Sequence, residues 1–340
     1  MKPYPLTLRS ILKPKVWGGR RLTSLGKQFP NGEQIGESWE LADLGATSAD
    51  GGGGGEARSV IANGPMRGIT LANAINAMGS NLMGSLRLSA DGGFPLLVKF
   101  IDARENLSVQ VHPSAEFAAA NPGAHLKTES WYVVDAQPGS KIYKGVRAGT
   151  TREEFAEAIR ENRVEELMLS VEARSGDFHH LPSGTCHALG AGVLLAEVQT
   201  PSDTTFRVYD WGRTDRTLHV DEALACIEFG PPERLEAIRN DRIPDGADRF
   251  KLVETEHYVL WEGKALGRSE RVIDTHEDKP VVWMCLDGGG RLESTDGSFE
   301  PVPFEAGATT LIPARLDDVT AVFERDSTVL TTRFPEAMNA

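Results

Sequence analysis

The chain has 340 residues, a formal net charge of −13, 40% hydrophobic residues and 25% charged residues. This length allows about two domains and a large buried core that needs no disulfide. The negative charge argues against nucleic acid or an anionic membrane as the main partner, although a local basic pocket could still bind a small anion.

The cysteine content and the hydropathy pattern indicate in which cellular compartment the protein is expected. Cys186, Cys226 and Cys285 are widely spaced and form no CxxC pair, which is typical of a reducing environment. The first residues, MKPYPLTLRSILKP, lack the apolar core of a signal peptide, and no run approaches 18 apolar residues. We therefore expect a cytoplasmic protein without a transmembrane helix.

Short apolar or alternating runs, bounded by glycine and proline, recur along the chain. Such runs are typical of β-strands. They cover 94–100, 107–113, 130–136 and 192–199, and later 251–263, 280–294, 309–314, 319–324 and 327–334. This recurring pattern predicts a mainly β protein, arranged as a sandwich or a barrel.

Helices are fewer. The segment 150–172 has helical spacing of apolar residues, and Thr151 and Glu154 fit a capping box at its start. Two shorter helices are predicted at 70–79 and 219–227. Because the longest helix lies between two groups of strands, we interpret it as an excursion from a barrel and not as a separate domain.

A polar segment bounded by proline, 231–249, is the best candidate for a domain boundary. It predicts a first domain at 1–240 and a smaller β domain at 241–340. The glycine run at 51–55 lacks the lysine of a phosphate-binding loop, so we predict an inserted loop without chemistry.

The stretch SGDFHHLPSGTCHALGAG (175–192) holds three of the eight histidines. Gly176, Pro182, Gly184 and His187 give the spacing G-x5-P-x-G-x2-H, which resembles the second motif of the cupin barrel, where this histidine is a metal ligand. His179 and His180 are adjacent in a predicted strand, so they face opposite ways and at most one of them faces the interior. We predict structural roles for both.

Three further residues complete a candidate ligand set. Gln110 and His112 are two apart in LSVQVHP and share one face of a strand. Glu129 starts the next predicted strand. Together with His187 they would form an N2O2 set that suits Zn2+, with Mn2+, Fe2+ or Co2+ as possible substitutes. A Gln-x-His pair alone is more often a hydrogen-bonded polar pair.

Taken together, these motifs resemble the type I phosphomannose isomerase family of the cupin superfamily, in its short bacterial form. The similar segments are 13–22, 35–43, 94–113, 126–134, 182–213 and 311–314. The resemblance implies two cupin-type jelly-roll β-barrels, with a few helices inserted in or flanking the first. It also implies one zinc ion per chain, held by Gln110, His112, Glu129 and His187, and a second barrel without metal.

The family reaction interconverts mannose 6-phosphate and fructose 6-phosphate through a cis-enediolate. It needs a base that reaches two carbons and groups that stabilise developing negative charge. Lys127 and Glu197 are the two candidates for the base, and Arg207 is a fixed cation suited to the enediolate or to ring opening. The candidates for substrate and phosphate binding are Lys99, Ser108 and Arg213.

Each role has an alternative. Lys127 could simply orient the substrate, Glu197 could pair with Arg207, and Lys99 could be an ordinary strand-end lysine. Two other functions compete with the isomerase: a sugar-binding or regulatory cupin, and an Fe2+ cupin oxygenase, which would usually have more histidine ligands. We expect a phosphosugar partner, no nucleic acid or membrane, and a monomer or small homo-oligomer.

Overall fold

The structure is a computed structural model that describes residues 2–48, 53–229, 242–275 and 277–338. It is mainly β with a few short helices, as predicted. The predicted domain boundary at 240/241, Gly51, Gly52 and His276 lie outside the described residues, so the proposed domain limits stay a prediction.

Fifteen strands precede the expected boundary in the described part of the chain. They are β1 (Leu6–Arg9), β2 (Ile11–Gly19), β3 (Ile35–Leu41), β4 (Asp43–Leu44), β5 (Ala57–Arg58), β6 (Val60–Ile61), β7 (Leu97–Ala103), β8 (Val109–Val111), β9 (Glu129–Ala136), β10 (Lys141–Val146), β11 (Met168–Glu172), β12 (Phe178–Leu181), β13 (His187–Leu189), β14 (Val193–Gln199) and β15 (Phe206–Tyr209).

Ten strands follow it among the described residues. They are β16 (Ile243–Pro244), β17 (Arg249–Glu254), β18 (Val259–Ala265), β19 (Ser269–Ile273), β20 (Val281–Asp287), β21 (Gly289–Glu293), β22 (Val302–Glu305), β23 (Thr309–Ile312), β24 (Val319–Phe323) and β25 (Ser327–Arg333).

The described helices are α1 (Leu71–Met78), α2 (Ser80–Met83), α3 (Ala115–Ala120), α4 (Arg152–Arg160), α5 (Val164–Leu167) and α6 (Val220–Cys226), with 3-10 turns at Arg21–Leu25 and Glu336–Met338. The two shorter predicted helices, at 70–79 and 219–227, are thus confirmed as α1 and α6.

The prediction of one helix over 150–172 is only partly right. The capping box of Thr151 and Glu154 is present at the start of α4, but that helix ends at Arg160. Asn162 then adopts a left-handed φ of 57°, which interrupts the helix. The last five residues of the segment form β11, which pairs with β10, so a helix at 168–172 was wrong.

The sheets stack in four layers. A five-stranded sheet (β11-β10-β13-β8-β15) faces a six-stranded sheet (β12-β9-β14-β7-β2-β3). The far side of the six-stranded sheet packs on an eight-stranded sheet (β16-β17-β18-β25-β20-β23-β1-β6) through a shared apolar core that includes Phe100, Ala196, Leu260 and Val282. A four-stranded sheet (β19-β24-β21-β22) covers the other side of the eight-stranded sheet.

The N-terminal strand belongs to the later part of the fold. β1 pairs antiparallel with β23, with Leu6 opposite Leu311. The first residues therefore tie the eight-stranded sheet to the rest of the chain. In the part of the chain that the structure describes, no helix is long and apolar enough to cross a membrane.

Candidate metal centre and pocket

Two rows of side chains, one from each facing sheet, define the pocket. In the five-stranded sheet, directly paired positions run in the order Lys144, His187, Gln110, Arg207. In the six-stranded sheet they run in the order Trp39, Lys99, Glu197, Trp131. Directly paired residues lie on the same face of a sheet, so the register alone gathers these polar groups between the two layers.

The turn before β13 brings His187 into its row. Gly184 has a φ of +87°, a left-handed conformation that favours glycine. A Cβ there would lie 2.8 Å from Cγ of Glu228, so the close approach of the chain also requires glycine. The predicted Pro-x-Gly turn is confirmed, with β12 ending at Leu181 and β13 beginning at His187.

His112, Glu129 and His187 converge at the centre of the pocket wall. Nε2 of His112 lies 3.3 Å from Oε2 of Glu129, and Nε2 of His187 lies 3.1 Å from Oε1. The potential ligand atoms of the three residues all lie within 4.8 Å of one another, and all three residues are buried. Among the described residues, these three form the group of His, Cys, Asp or Glu side chains that lie close enough together to hold a metal ion.

Backbone carbonyls orient both imidazoles. Nδ1 of His112 donates to the carbonyl of Thr204 at 3.1 Å, and Nδ1 of His187 donates to that of Thr185 at 2.8 Å. With the proton on Nδ1, each ring presents the lone pair of Nε2 towards Glu129. Such hydrogen bonds commonly fix the tautomer of histidines that bind metals.

The donor set fits a cation. In the described chain, neither Nε2 of His187 nor Oε1 of Glu129 makes a hydrogen bond, although the two atoms are 3.1 Å apart and buried. Two buried acceptor lone pairs that face each other are unfavourable unless a positive charge lies between them. Gln110 lines the same pocket and is the direct strand neighbour of His187, so its position is compatible with the predicted N2O2 set.

The electrostatics favour the ligand forms of these residues. Burial, with a contribution from the Lys127 ammonium, lowers the pKa of His112 to about 3 and keeps its imidazole neutral. Burial opposes ionisation of Glu129, but the Lys127 ammonium holds its pKa well below 4.5. A neutral imidazole and an ionised carboxylate are the states that bind a metal ion.

Lys127 is in direct contact with the cluster. Its Nζ lies 3.0 Å from Nε2 of His112 and 2.9 Å from Oε2 of Glu129, and the side chain is buried. It reaches the cluster because it is two residues before Glu129 in an extended segment, and residues two apart share a face. Lys127 is therefore close enough to act on a molecule held there.

Lys99 and Glu197 form the floor of the pocket. Nζ of Lys99 lies 2.9 Å from Oε1 of Glu197, while Nε1 of Trp131 donates to Oε2 at 2.9 Å. Burial opposes the charge on Lys99, but Glu197 and Glu37 raise the pKa of its ammonium above 10.5. Lys99 is thus a fixed cation between two carboxylates.

A second carboxylate, Glu37, extends this array and was missed from the sequence. It accepts from Nε1 of Trp39 at 2.7 Å and lies 3.4 Å from Nζ of Lys15 and 4.0 Å from Nζ of Lys99. Burial acts to raise its pKa, but Lys15 and Lys99 outweigh this effect and lower the pKa to about 2.

Six of the predicted catalytic and substrate-binding residues or ligands line one pocket, namely Lys99, Ser108, Gln110, Lys127, Glu197 and Arg207. Trp17, Trp39 and Trp131 form part of its wall. Arg213 is not among the residues that line it; its guanidinium contacts Asp210 and the carbonyl of Asn106. Asp203, Thr205 and Arg216 line the pocket and were not predicted.

The two neighbouring histidines of the histidine-rich stretch lie on opposite faces of β12: His179 on the same face as Trp131, between the two sheets, and His180 on the other. His179 is fully buried and pairs in register with Trp131, while His180 lies on the opposite face, where Nδ1 is 3.0 Å from Oγ of Ser130. Cys186 is buried, with Sγ 3.7 Å from Sδ of Met168, and is a core thiol.

The pocket is locally basic. Its lining includes five basic side chains, Lys15, Lys99, Lys127, Arg207 and Arg216, and three carboxylates, Glu37, Glu197 and Asp203. The lining is therefore positive although the whole chain has a net charge of −13. A small anion is the kind of molecule that such a pocket attracts.

Comparisons with known proteins show the family of this chain. The catalytic-domain model of type I phosphomannose isomerase matches residues 6–142. Mannose-6-phosphate isomerase ManA from Bacillus subtilis is 33% identical over 325 residues, which are 94% of this chain and 96% of that protein. The crystal structure of mannose 6-phosphate isomerase from Bacillus subtilis superimposes with a TM-score of 0.81 at 28% identity, covering 97% of this chain and 99% of that one.

A more distant solved structure, a mannose 6-phosphate isomerase bound with zinc and yttrium, shares the fold. Its TM-score is 0.72 at 17% identity, and the match covers 96% of this chain and 98% of that one.

Proposed function

This chain belongs to the type I phosphomannose isomerase family, and we propose that its pocket interconverts mannose 6-phosphate and fructose 6-phosphate through a cis-enediolate. The observation that carries the proposal is the buried convergence of His112, Glu129 and His187 on one wall of a basic pocket. A phosphorylated sugar matches the charge of that pocket.

We propose that one Zn2+ per chain is held by Gln110, His112, Glu129 and His187. The opposed lone pairs of His187 and Glu129 support this set, and imidazole with carboxylate is a donor combination that zinc accepts. When bound, the ion would supply a Lewis acid that polarises and orients substrate oxygens. Mn2+, Fe2+ or Co2+ could bind to the same donor atoms as substitutes for Zn2+.

Lys127 is the base that this geometry favours. The reaction removes a proton from C2 of the open-chain sugar and returns it to C1, so one group must reach both carbons. Nζ of Lys127 lies within 3.0 Å of two members of the metal cluster, so it can reach a sugar held at that cluster. Glu197 remains the second candidate, although both its oxygens already have partners.

Arg207 is suited to the developing enediolate charge. It is paired in register with Gln110 on β8, and Nη1 donates to the carbonyl of Thr217 at 2.6 Å, which fixes the guanidinium. A fixed guanidinium remains charged throughout the reaction and costs little to reorganise. Lys99 and Ser108, both buried in the pocket lining, would contact the substrate hydroxyl groups.

The finer points of architecture and setting are part of the same proposal. The two pairs of facing sheets are consistent with two jelly-roll barrels of the cupin type, the first with the metal site and the second without metal. The domain limits would be 1–240 and 241–340. A cytoplasmic monomer or small homo-oligomer that acts on a free phosphosugar would fit the composition.

The test is the rate of fructose 6-phosphate formation from mannose 6-phosphate by purified, zinc-supplied protein. A turnover of about 1 per second or more is ordinary for an enzyme and is the expected result. A protein with bound zinc and no detectable isomerisation would contradict the proposal and favour a cupin that binds sugars without converting them.

A further inference from the structure

We propose that Arg216, held in place by Asp210, binds the phosphate group and sets the preference of this pocket for a phosphorylated sugar. This inference rests on the proposed isomerase function and adds a specificity residue to it. Arg216 lies in the loop between β15 and α6, and it lines the same pocket as Arg207 and Gln110.

Asp210 fixes the guanidinium of Arg216 through two contacts. Nε of Arg216 donates to Oδ2 at 2.8 Å, and Nη2 donates to Oδ1. The carboxylate of Asp210 is only 2% exposed, so water competes little for it. A guanidinium held by one edge keeps further N–H donors for a planar or tetrahedral anion, which is the geometry in which arginine recognises phosphate.

The lysines of the pocket are already paired with carboxylates, and Nζ of Lys15 lies 3.4 Å from Glu37. Lys99 lies between Glu197 and Glu37, at 2.9 and 4.0 Å. Lys127 lies 2.9 Å from Oε2 of Glu129. A phosphate that approached any of these lysines would meet a carboxylate on the same side, and like charges at close range oppose binding.

Arg216 has a different arrangement. Among the described residues, the carboxylate that it contacts is Asp210, and Asp210 is shared with Arg213, whose Nη2 lies 2.7 Å from Oδ1. Half-exposed Glu105 lies 3.5 Å from Nη1 of Arg213 and partly neutralises the positive charge of Arg213. One buried carboxylate therefore orients two guanidinium groups, of which only Arg216 lines the pocket.

The position of Arg216 suits the far end of a sugar. It follows β15, the edge strand of its sheet, and β15 is separated from β13 by β8. Two strand spacings amount to about 10 Å, so this end of the pocket is well away from the strand of His187. A hexose with its reacting carbons at the metal cluster would direct its C6 substituent along the row His187, Gln110, Arg207 of the five-stranded sheet. Its phosphate would then lie near Arg216.

Arg213 acts in this scheme as a positioning residue. It contacts Asp210 and the carbonyl of Asn106 at 2.6 Å, which holds the loop against the end of β8. We assign the phosphate contact to Arg216 and a supporting contact to Arg213.

The test compares Arg216→Gln with wild type in the zinc-loaded protein. The probes are glucitol 6-phosphate and unphosphorylated glucitol, with binding measured by calorimetry and kcat and KM measured for mannose 6-phosphate. Losing a charge-assisted phosphate contact should weaken binding of glucitol 6-phosphate by about 30-fold and leave glucitol unchanged. Arg104→Gln, which removes a half-exposed arginine outside this pocket, is the charge-matched control and should bind both probes normally.

Two results would overturn the assignment: binding of glucitol 6-phosphate within about threefold of wild type, or equal weakening of both probes. Should Arg216→Gln fail to fold or to retain zinc, Arg216→Lys keeps the charge but loses the two-point contact with Asp210. That variant must still weaken only the phosphorylated probe. Because binding is measured directly, a wild-type protein that bound the phosphorylated probe more tightly but isomerised nothing would refute the proposed reaction and not this assignment.

Discussion

The hydroxyl of Tyr258, the residue just before β18 of the eight-stranded sheet, lies 2.9 Å from Oγ of Ser130, the neighbour of Glu129. Ser130 and Glu129 point to opposite faces of β9, because side chains alternate along a strand. The strand that presents Glu129 to the metal cluster is thus anchored from behind by the later part of the chain. Glu262 reinforces this anchor by accepting from the hydroxyl of Tyr132 at 2.6 Å.

The first prediction concerns this anchor. Tyr258→Phe and Ser130→Ala should each destabilise the fold, and their effects should be less than additive by about 1 kcal/mol, the usual net value of a buried hydrogen bond. The double-mutant cycle is measured by urea denaturation. Strict additivity would mean that the two hydroxyl groups are not coupled.

The second prediction concerns the ligand set. His187→Ala should lose zinc and activity together, and its loss of zinc affinity should exceed the roughly 10- to 100-fold that is typical of changes to outer-shell partners. Metal content of the purified variant, measured by atomic emission, checks it. His125→Ala, which alters a half-exposed histidine paired with Asp91, is the control and should retain zinc. Stoichiometric zinc in His187→Ala would remove His187 from the ligand set.

The third prediction separates binding of metal from turnover. Arg207→Ala should retain zinc but lose more than tenfold in kcat, which corresponds to ~1.4 kcal/mol or more of transition-state stabilisation. Steady-state kinetics and zinc analysis on the same preparation check both parts. A rate within tenfold of wild type would show that the guanidinium does not stabilise the enediolate.

The fourth prediction concerns pH. Burial lowers the pKa of Lys144 from its ordinary 10.5 to about 8. Between these values the unfolded chain binds more protons than the folded one, so the free energy of unfolding should rise as the pH rises through this window. Lys144→Met should be more stable than wild type at pH 7, by up to about 3 kcal/mol, and this advantage should disappear towards pH 10.5.

Urea denaturation of metal-free protein at several pH values measures this difference. Lys141→Met, on the same strand but exposed, is the matched control and should show no such trend. A constant difference between Lys144→Met and wild type across the window would contradict the expected protonation change.

The parts of the site that follow from local pattern could be predicted. The Pro-x-Gly turn determines where β13 begins, and two-residue alternation places Gln110 with His112 and Lys127 with Glu129. Glu37 and Arg216 could not be found in this way. Glu37 joins the pocket because β3 pairs with β7 some 60 residues later in the chain, and Arg216 lies in a loop without periodicity.

In the fold, too, local features could be predicted from the sequence and long-range contacts could not. The recurrence of short apolar runs was enough to predict a mainly β protein. It could not predict the pairing of β1 with β23, which depends on contacts across almost the whole chain. At 168–172, alternation and helical spacing are both compatible with the residues. The left-handed Asn162 and the ladder with β10 decide for a strand, and neither is visible in a window of sequence.

The most direct test of the metal-dependent mechanism is a zinc titration of chelator-treated wild-type protein, with bound zinc and the rate of fructose 6-phosphate formation measured on each sample. We predict that the metal-free protein is inactive and that both quantities rise together and saturate at one zinc per chain. Full isomerase activity in protein shown to contain no metal would contradict the account.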